Sequence, residues 1–167
     1  MPAEDQKLQR FSTLLTAIAV CLSAAAFASD YKAGSIEIEN PWSRATPKGA
    51  STAIGYMTIK NNGGTPDRLM GASVEAAGHV EFHSMVMENG VSKMRDLPAI
   101  EIKPGEAVDL KPGSTHAMFV HLKHPLHKGE HVTGSLTFEH AGTVRIEYSV
   151  EGIGARQPEH DMSHMQD

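Results

Sequence analysis

Short segments of alternating apolar and polar residues, separated by turn residues, make up most of the chain between residues 36 and 150. In SIEIEN the apolar residues are Ile36 and Ile38, and in TVRIEYSV they recur at every second position from Val144 to Val150. Side chains of a strand alternate between two faces, so this period of two predicts strands with one buried face. We find no convincing amphipathic helix after the first 28 residues and no spacing typical of a βαβ unit.

The turn residues favour antiparallel neighbours. KPG occurs at 103–105 and again at 111–113, and Pro followed by Gly suits the two central positions of a type II turn. ENGV at 88–91 is a strong signal for a two-residue hairpin loop. Many short strands joined by such turns predict an all-β fold, either an antiparallel β-sandwich or a small barrel.

Residues 1–28 have the features of an export signal. Lys7 and Arg10 precede an apolar stretch from Phe11 to Phe27, and the small residues around Phe27 fit a cleavage site after Ala28. We therefore expect an exported, periplasmic protein without a membrane span after cleavage. The alternative is an uncleaved N-terminal anchor, because two acidic residues interrupt the positively charged start.

The number of cysteines limits the metal-binding chemistry that is open to the chain. Cys21 is the single cysteine and lies within the expected signal, where the preceding IAV is a poor match to a lipid-attachment motif. The remaining 139 residues keep eight of the nine methionines and all ten histidines. Any soft-metal chemistry there has to use thioether and imidazole, since thiolate is absent. The net charge of −5 offers no basic surface for nucleic acid or anionic membrane.

The hairpin at ENGV brings potential metal ligands together. With residues 89–90 as its loop, Met85 faces Met94 and His83 faces Asp96. His83 and Met94 then become diagonal neighbours on one face, at a separation that long side chains can bridge.

A second pair of donors occurs in THAMFVHL, where His116 and Met118 share one face of a predicted strand. If this strand lies near the hairpin, two imidazoles and two thioethers converge, a set that favours Cu(I) over Zn(II), Mg²⁺ or Ca²⁺. The alternative is ordinary packing, because a strand histidine is usually satisfied structurally and methionine commonly fills gaps in cores. Spacing alone leaves both interpretations open.

The four residues and their flanks resemble a known family. His83, Met94, His116 and Met118 match the H-x10-M-x21-H-x-M motif of the periplasmic PCuAC copper chaperones at every position. The flanking stretches NPWSRATPKGASTAIGYMTIKNNG, DRLMGASVEAAGHVEFHSM, KMRDLPAIEIKPGEAVDLKPGSTHAMFVHLK and GEHVTGSLTFEHAG fit as well, so the resemblance covers about residues 36–150.

The resemblance implies a cupredoxin-like β-sandwich with a solvent-accessible Cu(I) site formed by His83, Met94, His116 and Met118. It further implies copper delivery toward the CuA subunit of cytochrome c oxidase, alongside Sco-type copper proteins. Such a protein is a carrier and not an enzyme, and we expect it to be monomeric. An alternative is a periplasmic protein that sequesters or stores copper through the same ligands.

The sequence also suggests roles or positions for several other residues. Met85 and Met87 share the face of His83 and are either spare thioether ligands or hydrophobic packing around the site, the latter being favoured. Asp96 could orient the ring of His83, as carboxylates do for metal-bound histidines. Five further histidines are expected at the surface, since no strand face gathers them: His121, His124, His127, His131 and His140.

The C-terminal stretch differs from the rest of the chain. Residues 152–167 contain almost nothing to bury, which predicts a flexible tail after a domain spanning 29–151. Its last part carries a short His/Met-rich tract: His160, Met162, His164 and Met165. Such a tract is typical of metal binding, and imidazoles accept Cu(II) well, so we expect the tail to capture copper beside the folded site. An accidental pair of histidines in an acidic tail is the alternative.

Two other classes of function are compatible with the sequence pattern. One is an exported interaction module without metal, in which His116 and Met118 are ordinary strand residues. The other is a zinc hydrolase, which is disfavoured because no third nitrogen or oxygen ligand and no general base cluster with the histidines.

Overall fold

The computed structural model describes residues 30–158, and every regular element in that range is a strand. The strands are β1 Tyr31–Ala33, β2 Ile36–Arg44, β3 Thr52–Asn61, β4 Asp67–Val74, β5 His79–Glu88, β6 Val91–Leu97, β7 Ile100–Ile102, β8 Ala107–Leu110, β9 His116–Val120, β10 His131–Phe138 and β11 Gly142–Glu151. The all-β prediction is therefore confirmed. No helix in residues 30–158 is long and apolar enough to cross a membrane.

The strands form one continuous sheet that curls on itself. Its order is β6-β5-β9-β3-β2-β11-β10-β4-β7, with β1 paired to β2 and β8 paired to β3. β4 and β5 lie far apart in this order, yet they contact each other, so the sheet encloses a shared core. One pair, β2 with β11, is parallel, whereas the sequence predicted antiparallel neighbours. This pair joins strands far apart in sequence, where no hairpin loop dictates direction.

The turns form where the sequence predicted them. Asn89 and Gly90 both have positive φ, at 52° and 79°, as a tight two-residue hairpin loop of type I′ requires. Each KPG turn closes with a backbone hydrogen bond, from Glu106 N–H to Lys103 O at 3.0 Å and from Ser114 N–H to Lys111 O at 3.1 Å. The second of these turns leads directly into β9.

The core collects the alternating apolar residues predicted to share buried faces. Ile36 and Ile38 of β2 are fully buried, and so are Ile146 and Tyr148 of β11. The Tyr148 ring packs edge-on against Phe119 of β9, with ring centroids 5.1 Å apart.

This aromatic contact depends on a glycine of β3 beneath it. A Cβ on Gly55 would lie 2.5 Å from the Phe119 ring and 3.0 Å from the Tyr148 ring. The close approach fixes Phe119 in the core, and alternation along the strand then places the preceding residue of β9, Met118, on the opposite face.

The last described residues lie against the sheet. β11 ends at Glu151, at the predicted end of the domain. Beyond it, Arg44 donates a hydrogen bond from Nε to the Ala155 carbonyl at 2.6 Å, and its guanidinium lies 5.5 Å from the centre of the Tyr56 ring. The expected export signal and residues 159–167 of the expected tail lie outside the described residues.

Candidate metal centre

The β5–β6 hairpin has the register expected from its loop. Met85 pairs with Met94, and His83 pairs with Asp96. His83 and Met94 are therefore diagonal neighbours on two adjacent strands, as the hairpin arithmetic predicted.

β9 lies on the other side of β5 and completes the arrangement. His83 pairs directly with His116, and Glu81 pairs with Met118. The four motif residues thus share one face of the three neighbouring strands β6, β5 and β9, with His83 on the central strand. This long-range pairing was not derivable from the sequence pattern, which left the partner of β9 open.

Both histidines are buried on this face. Only 2% of His83 and 6% of His116 is exposed, and their ring centroids lie 5.8 Å apart in an edge-to-face arrangement. The resemblance implied a solvent-accessible site, but the imidazoles themselves are enclosed. Burial limits the ways in which either ring can reorient.

The surroundings of each ring assign its proton. His116 Nδ1 lies 3.0 Å from the Ser114 carbonyl, which only accepts, so Nδ1 donates and Nε2 keeps its lone pair. His83 Nε2 lies 3.2 Å from Glu81 Oε2 and 3.1 Å from Asp96 Oδ1, so the proton belongs on Nε2. His83 Nδ1 is buried and has no hydrogen-bond partner. In its neutral form, which is the form that binds a metal, each ring therefore keeps one unprotonated nitrogen: Nε2 in His116 and Nδ1 in His83.

Glu81 is a site residue that the sequence analysis missed. It alternates with His79 and His83 along β5, so its position on the same face was derivable. A hydrogen bond with His79, at 3.0 Å, is the main reason that the pKa of Glu81 lies below its usual value, and His83 adds to the effect. The carboxylate is consequently ionised at neutral pH and lies between two imidazoles.

The thioethers differ in exposure. Met118 and Met85 are partly buried, whereas Met94 is 52% exposed and Met87 is 70% exposed. Register places Met94 and Met118 on opposite sides of His83, so a soft ion beside this histidine would have a thioether available on each side.

The remaining predicted residues lie elsewhere. The five surface histidines are exposed as expected, although the His121 ring lies 5.4 Å from that of His79. Within residues 30–158, no group of three or more His, Cys, Asp or Glu is already arranged to hold a metal, which leaves the mixed His/Met face as the candidate. The tail residues His160, Met162, His164 and Met165 lie outside the described residues.

The fold and this face define a class: a small all-β domain that presents imidazole and thioether donors from adjacent strands. The chain belongs to the family described as "Putative lipoprotein LpqE-like", whose model matches residues 36–150. A relative described as "Putative lipoprotein Lxx21020", from Leifsonia xyli, is 30% identical over 138 residues, which are 82% of each chain.

Solved structures of PCuAC domains share the fold. The apo PCuAC domain of PmoF2 is 32% identical with a TM-score of 0.67, covering 78% of this chain and 100% of that domain. The copper-bound form of the PmoF2 domain is also 32% identical, with a TM-score of 0.65 and coverage of 74% and 98%. The CuI form of DR1885 from Deinococcus radiodurans is 25% identical, with a TM-score of 0.57 and coverage of 67% and 75%. The predicted resemblance to PCuAC domains, including their cupredoxin-like fold, is thereby confirmed.

Proposed function

We propose that this protein is a copper carrier that holds Cu(I) through His83, Met94, His116 and Met118. The observation that carries the proposal is the shared face on β6, β5 and β9, where two buried imidazoles each keep a free nitrogen and two thioethers flank them. Copper is the cargo of such a protein.

The donor set explains carriage better than permanent retention. Imidazole and thioether are neutral, and they suit Cu(I), but they lack the thiolate that a blue-copper electron-transfer site uses. A Cu(I) ion bound by neutral donors passes readily to an acceptor rich in thiolates. Copper binding by the PmoF2 domain and by DR1885, to which this chain is 32% and 25% identical over the aligned parts, supports the choice of metal.

The direction of copper flow forms the finer part of the proposal. We infer delivery toward the CuA centre of cytochrome c oxidase, with Sco-type proteins as partners, and a carrier role without catalysis. The second candidate, copper sequestration, uses the same ligands. Mixing the Cu(I)-loaded protein with an apo CuA domain separates the two. Delivery predicts transfer of Cu(I) to the domain, and a one-electron oxidant such as ferricyanide, added once the domain is fully loaded, then produces the mixed-valence CuA absorption spectrum. Sequestration predicts that the copper stays with this protein.

Export from the cytoplasm is part of the same proposal. A family described as lipoproteins supports an exported protein, and cleavage after Ala28 would release it into the periplasm. The intact mass of the protein isolated from cells distinguishes this from lipid attachment at Cys21 or an uncleaved anchor.

A competition titration tests the Cu(I) site. The protein is titrated with Cu(I) against a chelator, beside His116→Ala/Met118→Ala and a control, His127→Ala/Met70→Ala, whose residues are exposed and lie outside β5, β6 and β9. We expect one tightly bound equivalent in the wild type and the control, and its loss in the first variant. Equal binding in all three proteins would mean that His116 and Met118 only pack within the strand.

The position of the tail supports a role in capture. Residues 156–158 line a groove of about 370 Å³ together with Lys111 and Pro112, which belong to the turn that leads into His116. The His/Met tract begins two residues later, at His160, so we propose that it binds Cu(II) near the folded site.

A further inference from the structure

A second group of donors lies on the same strand as His83, farther from the hairpin loop. His79 and Glu81 share a face of β5, and His79 Nε2 lies 3.0 Å from Glu81 Oε1. Both side chains are nearly half exposed, at 48% and 44%. An ion arriving from solvent can therefore reach them without any movement of the sheet.

His121 joins this pair through an unusual backbone conformation. It follows the last residue of β9 and has a φ of 57°, in the left-handed region that residues other than glycine rarely adopt. Its ring lies 5.4 Å from that of His79, at an angle of 62°. A regular continuation of β9 would turn His121 to the opposite face from Val120, the residue that pairs with His79.

Gly78 holds this conformation. Its N–H is shared between the carbonyl oxygens of Val120 at 2.9 Å and His121 at 3.0 Å. A Cβ at Gly78 would lie 3.1 Å from the Cβ of His121, so the close approach favours glycine. Left-handed conformations of residues other than glycine are strained and cluster at functional sites.

We propose that His79, Glu81 and His121 form a binding site for a divalent transition-metal ion, Zn(II) or Cu(II). Two imidazole nitrogens and one carboxylate oxygen are the donors that these ions prefer, with solvent water filling the remaining positions. The side chains are not yet in a coordinating arrangement, since residues 30–158 contain no preassembled group of three such ligands. Because ligands of one Zn(II) lie only about 2.0–2.2 Å from it, binding draws the exposed His121 ring toward the His79–Glu81 pair.

The site is distinct from the proposed Cu(I) site and does not depend on it. It contains no thioether, and Zn(II) rarely uses methionine, so Zn(II) is the probe that separates the two. Glu81 nevertheless contacts a residue of the proposed Cu(I) site, because its other oxygen, Oε2, lies 3.2 Å from His83 Nε2.

The test is a Zn(II) titration against a competing chelator, using the full chain with His160→Ala/His164→Ala so that the tail imidazoles are silent. In this background we compare His79→Gln/His121→Asn with the matched control His127→Gln/His140→Asn, whose parent side chains are exposed elsewhere. Asn tolerates the left-handed region, so the conformation at residue 121 is preserved. Circular dichroism verifies that each variant is folded, and Glu81→Gln provides a second variant that leaves both histidines intact.

We expect one equivalent of Zn(II) in the background protein and the control, and a loss of affinity of about tenfold or more in His79→Gln/His121→Asn and in Glu81→Gln. A repeat with Cu(II) distinguishes the ions, since Cu(II) binds such donors more tightly than Zn(II). Unchanged Zn(II) affinity in His79→Gln/His121→Asn would overturn the proposal. So would loss of the Zn(II) equivalent in His83→Ala/His116→Ala but not in His79→Gln/His121→Asn, because the ion would then occupy the other site.

Discussion

At the scale of single residues, two buried imidazoles, His83 and His116, are central to the proposed Cu(I) site. The Ser114 carbonyl holds the proton of His116 on Nδ1, and two carboxylates hold the proton of His83 on Nε2. Histidines in metal sites commonly have one nitrogen engaged in this way, which fixes the nitrogen that is left for the metal.

The dependence of copper binding on neutral imidazoles predicts a pH effect. A free histidine titrates near pH ~6.5, and protons compete with the metal for the ligating nitrogen. We expect Cu(I) affinity, measured by chelator competition, to fall as the pH decreases from 7 to 5. Affinity that stays constant across this range would contradict histidine ligation, and a variant with only the two thioethers, His83→Ala/His116→Ala, provides the pH-insensitive reference.

Tyr148 leads to a prediction about stability. Its ring is fully buried, its hydroxyl has no hydrogen-bond partner, and burial raises the pKa of the phenol, which stays protonated. An unsatisfied buried hydroxyl is destabilising, so Tyr148→Phe should leave the free energy of unfolding unchanged or raise it by up to about 1 kcal/mol. Tyr148→Ala, which removes the contact with Phe119, should cost about 3–5 kcal/mol. Urea denaturation measures both, and a clear loss in Tyr148→Phe would reveal a partner for the hydroxyl.

At the scale of elements, one carboxylate connects β4 to the β10–β11 hairpin. Asp67 is buried at the start of β4 and accepts backbone N–H groups from Arg68 at 2.7 Å, His140 at 3.0 Å and Ala141 at 2.9 Å. Burial alone would raise the pKa of Asp67, but these three donors outweigh it, and the pKa lies below its usual value. The charged form therefore stabilises the junction between the two elements.

This junction predicts an acid-sensitive contribution to stability. Because the pKa is lower in the folded state, the contribution is present above the unfolded value of about 3.9 and is lost as the pH falls through the folded value. Asp67→Asn places an amide N–H against a backbone N–H and should lower the free energy of unfolding by about 1–3 kcal/mol at pH 7. The difference from wild type should shrink below about pH 4. Asp109→Asn, at an exposed carboxylate, is the control and should change stability by less than about 0.5 kcal/mol; equal effects of both variants would refute the role of Asp67.

The sequence predicted those elements that are determined by residues close together in the chain. A two-residue loop at Asn89-Gly90 and the period of two determine the pairing of His83 with Asp96, so the hairpin half of the site was predictable. The pairing of His83 with His116 joins strands 33 positions apart, and alternation within β9 does not encode its partner. His121, directly after β9, adopts its left-handed conformation against Gly78, directly before β5. Because this contact joins residues far apart in sequence, the approach of the His121 ring to His79 was not predicted.

At the scale of the whole molecule, the curled sheet gathers the proposed copper-handling residues near one region. The turn at Lys111–Gly113 borders the groove that residues 156–158 line, and the same turn leads into His116. The attachment point of the tail thus lies beside the turn that precedes β9. The all-β fold class was predictable from the alternating pattern, whereas the curling of the sheet depends on tertiary contacts.

The tail provides a prediction at this scale. A chain ending at Pro158 keeps the hydrogen bond from Arg44 to Ala155 and removes the four His and Met residues of the tract. We expect this truncation to keep one tightly bound equivalent of Cu(I). We also expect it to lose the Cu(II) that the tail binds, to the same extent as His160→Ala/His164→Ala in the full chain. Electron paramagnetic resonance of the Cu(II)-loaded proteins measures the loss. An unchanged Cu(II) spectrum and stoichiometry would exclude the tail as a ligand source.

The uneven exposure of the four proposed ligands has a kinetic consequence. Met94 is 52% exposed on β6, the terminal strand of the sheet order, whereas His83 and His116 are almost entirely enclosed. With Cu(I) held by the four residues as proposed, an incoming thiolate would reach Met94 before either imidazole, and stepwise ligand exchange would release the two histidines last. The order of these exchanges, more than the affinity of the site, would then determine how quickly an acceptor receives its metal.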